Sequence, residues 1–151
     1  MFRHSVRVRY QECDPQGVVY FARYPEYYDL TLTELFRVAM GSYQGMVEAG
    51  TDLVVAEMSV RYRAPARFDE VIDVELVVDQ LGETSMISSY AIVRNAETLA
   101  EGSFRHVFID PPTKAKKPIP DEIRAALKPY MADQTSSRSA STTSRPDAVS
   151  S

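Results

Sequence analysis

The chain has 151 residues, of which 44% are hydrophobic. That is enough for one domain with its own core and leaves no room for a second. A net charge of −4 argues against nucleic-acid binding, which needs a basic excess to neutralise phosphates. A single cysteine excludes an internal disulfide and a cysteine-based metal site. No apolar run is long enough to cross a membrane and the first ten residues alternate, so the expectation is a protein of the cytoplasm with no membrane partner.

Taken in chain order, His4, Val6, Val8 and Tyr10 alternate with Arg3, Ser5, Arg7 and Arg9, the period of a half-buried strand. Next comes Tyr10-Gln11-Glu12-Cys13-Asp14-Pro15-Gln16-Gly17-Val18-Val19-Tyr20-Phe21, a Pro/Gly turn that carries one carboxylate just ahead of a helix start. Asp14 is therefore the first candidate for chemistry. A loop carboxylate, an apolar stretch and helix N-terminal amides together supply a base or nucleophile, a dry pocket and donors for a developing negative charge, the parts of an acyl-transfer site.

Pro25 suits a first helical turn, and Tyr28, Leu32, Leu35, Phe36, Ala39 and Met40 recur at helical spacing up to Gly41. A long helix from about Tyr24 is expected, with Glu34 and Arg37 as a surface ion pair. From Leu53 the pattern becomes β, with Val54, Ala56, Met58, Val60 and Tyr62 on one face and Val55, Glu57, Ser59, Arg61 and Arg63 on the other. Strands over 71–81, 85–94 and 99–109 follow, separated by turn signals at Gly82 and Asn95, and a short helix over about 121–130. One strand, a long helix and a four-stranded meander make an α+β fold, a curved antiparallel sheet wrapped around a helix. The domain is expected to span residues 1–130, with 131–151 as a Ser/Thr-rich disordered tail.

The Asp14 motif, continued through Tyr24-Pro25-Glu26-Tyr27-Tyr28-Asp29 and then Met58 to Glu70, resembles the hotdog-fold acyl-CoA thioesterases of the 4-hydroxybenzoyl-CoA and Tol-Pal-associated types. The resemblance covers about residues 4 to 127. It implies hydrolysis of a CoA thioester, of a short aliphatic or an aromatic acid, without a metal or other cofactor. Asp14 would be the catalytic carboxylate, as nucleophile or general base, and the backbone amide of Phe21 would polarise the carbonyl. Gly17 would let the loop approach the thioester, and Val19, Tyr20 and Tyr24 would shape the acyl pocket. Phe21 stands where many relatives have His, so only its amide carries a role. Because the family builds its sites between subunits, a homodimer or homotetramer is implied.

An acidic protein that binds coenzyme A needs local positive charge, and Arg61, Arg63 and Arg67 are the candidates. The turn at Gly82-Glu83-Thr84-Ser85 is similar to the Tol-Pal-associated branch and Cys13-Asp14-Pro15 to the 4-hydroxybenzoyl branch, which leaves the acyl group open. A hotdog dehydratase or hydratase would pair a carboxylate with His, and neither His4 nor His106 follows Asp14 closely. A non-catalytic acyl-CoA-binding protein is the other alternative. Cys13 has no local base and is a weak nucleophile candidate.

Overall fold

The computed structural model describes residues 1–133. Strand β1 (Phe2–Arg7) leads through a 3-10 turn (Tyr10–Glu12), a loop and a second 3-10 turn (Phe21–Arg23) into helix α1 (Tyr24–Met40). A short helix α2 (Tyr43–Glu48) precedes strands β2 (Asp52–Tyr62), β3 (Val71–Leu81), β4 (Ser85–Arg94) and β5 (Glu97–Ile109), and helix α3 (Asp121–Leu127) closes the domain. All pairings are antiparallel, in the order β1-β3-β4-β5-β2. Two sequentially distant strands, β1 and β2, thus form the two edges.

Alternation decides which face each strand buries. Ile72, Val74, Leu76 and Val78 of β3 and Met86, Tyr90 and Ile92 of β4 point inward against Tyr27, Tyr28, Leu32, Leu35 and Phe36 of α1. Each such large side chain removed from water contributes roughly 1.5–3 kcal/mol, so α1 is held by packing more than by its own propensity. Pro25 at its first turn and Gly41 at φ +90° after its last fix the two ends.

Helix α2 was not apparent from periodicity, because six residues with two glycine neighbours carry no stripe. Its start is nonetheless capped, Ser42 Oγ accepting the Gly45 N–H at 2.6 Å. The strand reading from Leu53 is corrected by a bulge. Val55 lies opposite His106 and Glu57 opposite Arg105, so Ala56 is an extra residue and the facing reverses across it. Leu53 and Val55 therefore join Met58, Val60 and Tyr62 on the inner face, while Val54 turns outward. Tyr10, expected on the inner face of β1, is 79% exposed, because the 3-10 turn takes it off the strand after Val8.

The chain stays packed past the expected boundary at 130. Met131 bridges to Val78 and the Ala132 N–H donates to the Val78 carbonyl at 3.0 Å. The rest of the expected tail, residues 134–151, lies outside the described residues.

Gly102 sits in the middle of β5 for a steric reason. A Cβ there would stand 2.3 Å from the Ser59 carbonyl oxygen of β2 and 3.0 Å from the Tyr28 ring of α1. Gly102→Ala is therefore expected to lower stability by about 1–3 kcal/mol, read as a lower denaturant midpoint, since backbone on one side and a buried ring on the other cannot both yield. His106 is buried two inner positions further along β5, past Phe104, its Nδ1 without a partner among the described residues, and burial depresses its pKa from 6.5 to about 4. Between those values the unfolded chain binds the proton and the folded chain does not, so stability falls as pH drops from 6.5 towards 4. His106→Leu is expected to remove part of that acid sensitivity, on the order of 3 kcal/mol across the interval, in thermal melts at stepped pH.

Candidate active site

The loop that carries Asp14 is clamped at both ends by Glu12, a residue that sequence reasoning passed over. Glu12 is buried, 5% exposed. Its Oε1 accepts the Arg9 N–H at 2.7 Å and the Tyr27 hydroxyl of α1 at 3.0 Å, and its Oε2 takes the Arg9 guanidinium at 3.2 Å. Burial first, and the adjacent carboxylate second, push the Tyr27 hydroxyl far above its ordinary pKa, so it remains the donor in this pair. The Glu12 carbonyl accepts the Tyr20 N–H at 2.9 Å, closing the loop's exit on its entrance.

Within that clamp three hydrogen bonds close the turn. The Asp14 N–H donates to the Val18 carbonyl at 2.9 Å, the Asp14 carbonyl accepts the Gly17 N–H at 3.0 Å, and Asp14 Oδ1 accepts the Gln16 N–H at 2.8 Å. This is an Asx turn, in which the side chain itself orders the loop and leaves Oδ2 outside it. Gly17 has φ +78° with nothing within 4 Å of a would-be Cβ, so backbone conformation and not lack of space requires glycine. The segment 65–70 braces the loop from the other side: Val19 N–H donates to the Ala66 carbonyl at 2.8 Å and Phe68 N–H to the Gly17 carbonyl at 3.3 Å. Cys13 lies beside Asp14, but burial and then the Glu12 and Asp14 carboxylates raise its thiol pKa, which disfavours the thiolate.

Phe21 opens the turn that runs into α1, so its N–H belongs to the set of first-turn amides with no intrahelical acceptor. The Tyr20 carbonyl accepts the Arg23 N–H at 2.9 Å, which directs that carbonyl into the turn and the Phe21 N–H of the same peptide the opposite way. A second unforeseen residue, Tyr62 at the end of β2, donates its hydroxyl to the Phe21 carbonyl at 2.7 Å. Nothing local in the sequence links residues 41 apart; only the return of β2 beside α1 does. Tyr20 and Phe21 are exposed and their rings lie 4.6 Å apart. Val19 and Tyr24 are buried at 4% and 3%, with the Tyr24 oxygen accepting the Ala66 N–H at 3.1 Å.

Six of the nine expected site residues fall into two hollows, and Tyr20, Arg61 and Arg67 line neither. Asp14 and Gly17 line one of about 490 Å³ together with Tyr10, Gln11, Cys13, Pro15 and Phe68. Val19, Phe21, Tyr24 and Arg63 line another of about 310 Å³ together with Tyr62 and Pro65. The three arginines do not share a hollow. Arg61 lies over the outer face of the sheet with Glu75, Ser89 and Glu101, Arg63 pairs with Glu101 at 3.0 Å, and Arg67 is exposed opposite Val18. Glu34 and Arg37 form the expected surface pair at 3.1 Å. Among the described residues no three His, Cys, Asp or Glu side chains group to hold a metal ion, and no helix is long and apolar enough to cross a membrane.

Known proteins are similar to this chain in sequence and in fold. The chain is 33% identical over 129 residues to the acyl-CoA thioester hydrolase YbgC of Escherichia coli, covering 85% of this chain and 96% of that protein. Among solved structures, a hypothetical protein from Thermus thermophilus superposes with a TM-score of 0.80 at 30% identity over 86% of this chain and 99% of its own. A 1,4-dihydroxy-2-naphthoyl-CoA thioesterase from Synechocystis superposes with a TM-score of 0.77 at 24% identity, covering 84% and 95%. The curved sheet around α1 is thus the hotdog fold. The family profile described as the thioesterase-like superfamily matches residues 8–127, from the end of β1 to the end of α3, and the chain belongs to that superfamily.

Proposed function

We propose that this protein hydrolyses an acyl-CoA thioester to the free acid and coenzyme A, with Asp14 as the working carboxylate and the Phe21 amide as the oxyanion donor. The observation that carries the reading is the doubly clamped loop, which fixes Asp14 in an Asx turn and aims the Phe21 N–H out of the helix start. The likeness to the YbgC hydrolase supports the reaction. Asp14 Oδ2 attacks the thioester carbon directly or takes a proton from an attacking water; in both routes the C–S bond breaks and the thiolate of coenzyme A leaves. In the direct route water then hydrolyses the mixed anhydride on Asp14 to the free acid and the regenerated carboxylate. The negative charge that gathers on the carbonyl oxygen is met by the Phe21 N–H. One such donor is worth roughly 3–4 kcal/mol, and its fixed peptide plane costs no reorganisation during the reaction.

The working form in this reading is a homodimer or homotetramer in the cytoplasm. The oligomer's support is the β2 edge, which has no strand partner on its outer side among the described residues while Val54, Val55, Met58 and Tyr62 along it are 42–53% exposed. An open, apolar strand edge favours pairing with a second copy. Arg63 and Arg67 are the residues we assign to the coenzyme A phosphates, Arg63 because it rims the hollow of the Phe21 amide. Release of free thiol from benzoyl-CoA and acetyl-CoA tests the activity, and absence of release from any acyl-CoA in a wider panel would refute it.

Asp14→Asn keeps an oxygen for the Gln16 N–H and removes the charge. It is expected to lower kcat by at least about 10²-fold with an unchanged melting temperature, since general acid–base help alone is worth about 10²–10⁴-fold. For the nucleotide end, the double variant Arg63→Ala/Arg67→Ala is expected to raise KM for acyl-CoA more than KM for a truncated thioester without the nucleotide. Added salt should have the same effect on the parent protein, because exposed charges are screened. Steady-state kinetics on both substrates at two ionic strengths separates the outcomes.

A further inference from the structure

Most large aromatic side chains of this domain are buried or half-buried; besides the exposed Tyr20–Phe21 pair at the helix start, Tyr10 and Phe68 meet edge-to-face in the open, ring centroids 5.8 Å apart at 90°. They are 79% and 51% exposed. Both rim the 490 Å³ hollow that holds Asp14, and both stand on braced backbone. Tyr10 begins the 3-10 turn closed by Glu12, and the Phe68 N–H is bonded to the Gly17 carbonyl. Exposed rings that touch each other on a braced backbone beside a carboxylate are placed for a ligand, since part of the ordering cost has already been met in folding.

The two hollows differ in a way that assigns the ends of a substrate. The Phe21 hollow carries the rings of Phe21, Tyr24 and Tyr62 and, at its rim, Arg63, a cation paired with Glu101 at 3.0 Å. The Asp14 hollow has no cationic lining residue; it offers two rings, Pro15 and the bare backbone of Gly17. A thioester carbon placed between Asp14 and the Phe21 amide must send its phosphate-bearing arm one way and its acyl group the other.

We propose that the Tyr10–Phe68 pair is the acyl-recognition surface of the Asp14 site, against which the acyl group packs while the coenzyme A arm leaves past Phe21 and Arg63. This rests on the thioesterase reading above and deepens it by naming the specificity-determining residues; it moves the acyl group from the region of Val19, Tyr20 and Tyr24, which the family resemblance implied, to the Asp14 hollow. The geometry favours a flat or aromatic acyl group, which finds one ring face and one ring edge in a volume within the range of small-molecule pockets.

The test compares kcat/KM for benzoyl-CoA with that for acetyl-CoA in the full chain and in Tyr10→Ser, Phe68→Ser and the double variant. The benzoyl-to-acetyl ratio is expected to fall about tenfold or more in the double variant, as expected when a substrate loses apolar contact in its pocket. Tyr10→Phe and Phe68→Tyr, which keep the rings, should restore most of it. A ratio unchanged in an active, folded double variant overturns the acyl assignment and leaves the thioesterase reading standing; so does a ratio that falls equally in the ring-preserving variants. If the double variant fails to fold, the two single serine variants decide on the same ratio. A parent protein that releases thiol from no acyl-CoA overturns both readings.

Discussion

The Glu12 carboxylate ties three separately folded parts of the chain together. Arg9 extends from β1, Glu12 ends the first 3-10 turn, and Tyr27 projects from the first turn of α1. A hydrogen bond to a buried charge of this sort is worth about 1.5–3 kcal/mol, and a buried carboxylate stripped of its partners costs more than that. Its backbone carbonyl holds Tyr20 as well, so the Asp14 loop is a closed unit whose two ends cannot separate without exposing Glu12.

That closure gives an exposed loop the fixed geometry that the proposed chemistry needs. Loops usually owe their mobility to unsatisfied backbone, and this one has little. Asp14, Gly17, Val19 and Phe68 all donate or accept main-chain bonds, and the Asp14 side chain supplies one more. Tyr62 then reaches across from β2 to the Phe21 carbonyl, so the edge strand and the amide at the head of α1 are mechanically connected. An event at the β2 edge, such as pairing with another copy, would be felt at the proposed oxyanion donor through one hydrogen bond.

The sheet supports the same site from below. Gly102 lets β2 and α1 approach β5 closely enough for Tyr28 to stack on Tyr90 at 4.7 Å, which sets the level of α1 over the sheet. The bulge at Ala56 turns Val54 outward and leaves apolar side chains on both faces of the free edge. Leu53 and Val60 pack against the core, while the half-exposed apolar side chains around them and the edge left open among the described residues are what the proposed self-association would cover.

Local pattern was sufficient for much of this. The alternation of 71–81 and 85–94, the stripe of α1 with Pro25 and Gly41 at its ends, and the Pro/Gly turn around Asp14 all depend on neighbours within a few residues, where side-chain period and backbone preference act directly. The superfamily was legible for the same reason, because its motif is contiguous. What only the tertiary structure decided depends on contacts between distant segments. The bulge at Ala56 follows from register against β5, the exposure of Tyr10 from the turn that follows β1, and the scattering of Arg61, Arg63 and Arg67 from the shape of the sheet end. Glu12 and Tyr62 carry no local mark of their roles. A carboxylate becomes a buried clamp, and a tyrosine a brace, only when folding brings Tyr27 and Phe21 within 3 Å of them, and that proximity is a property of the fold and of no segment within it.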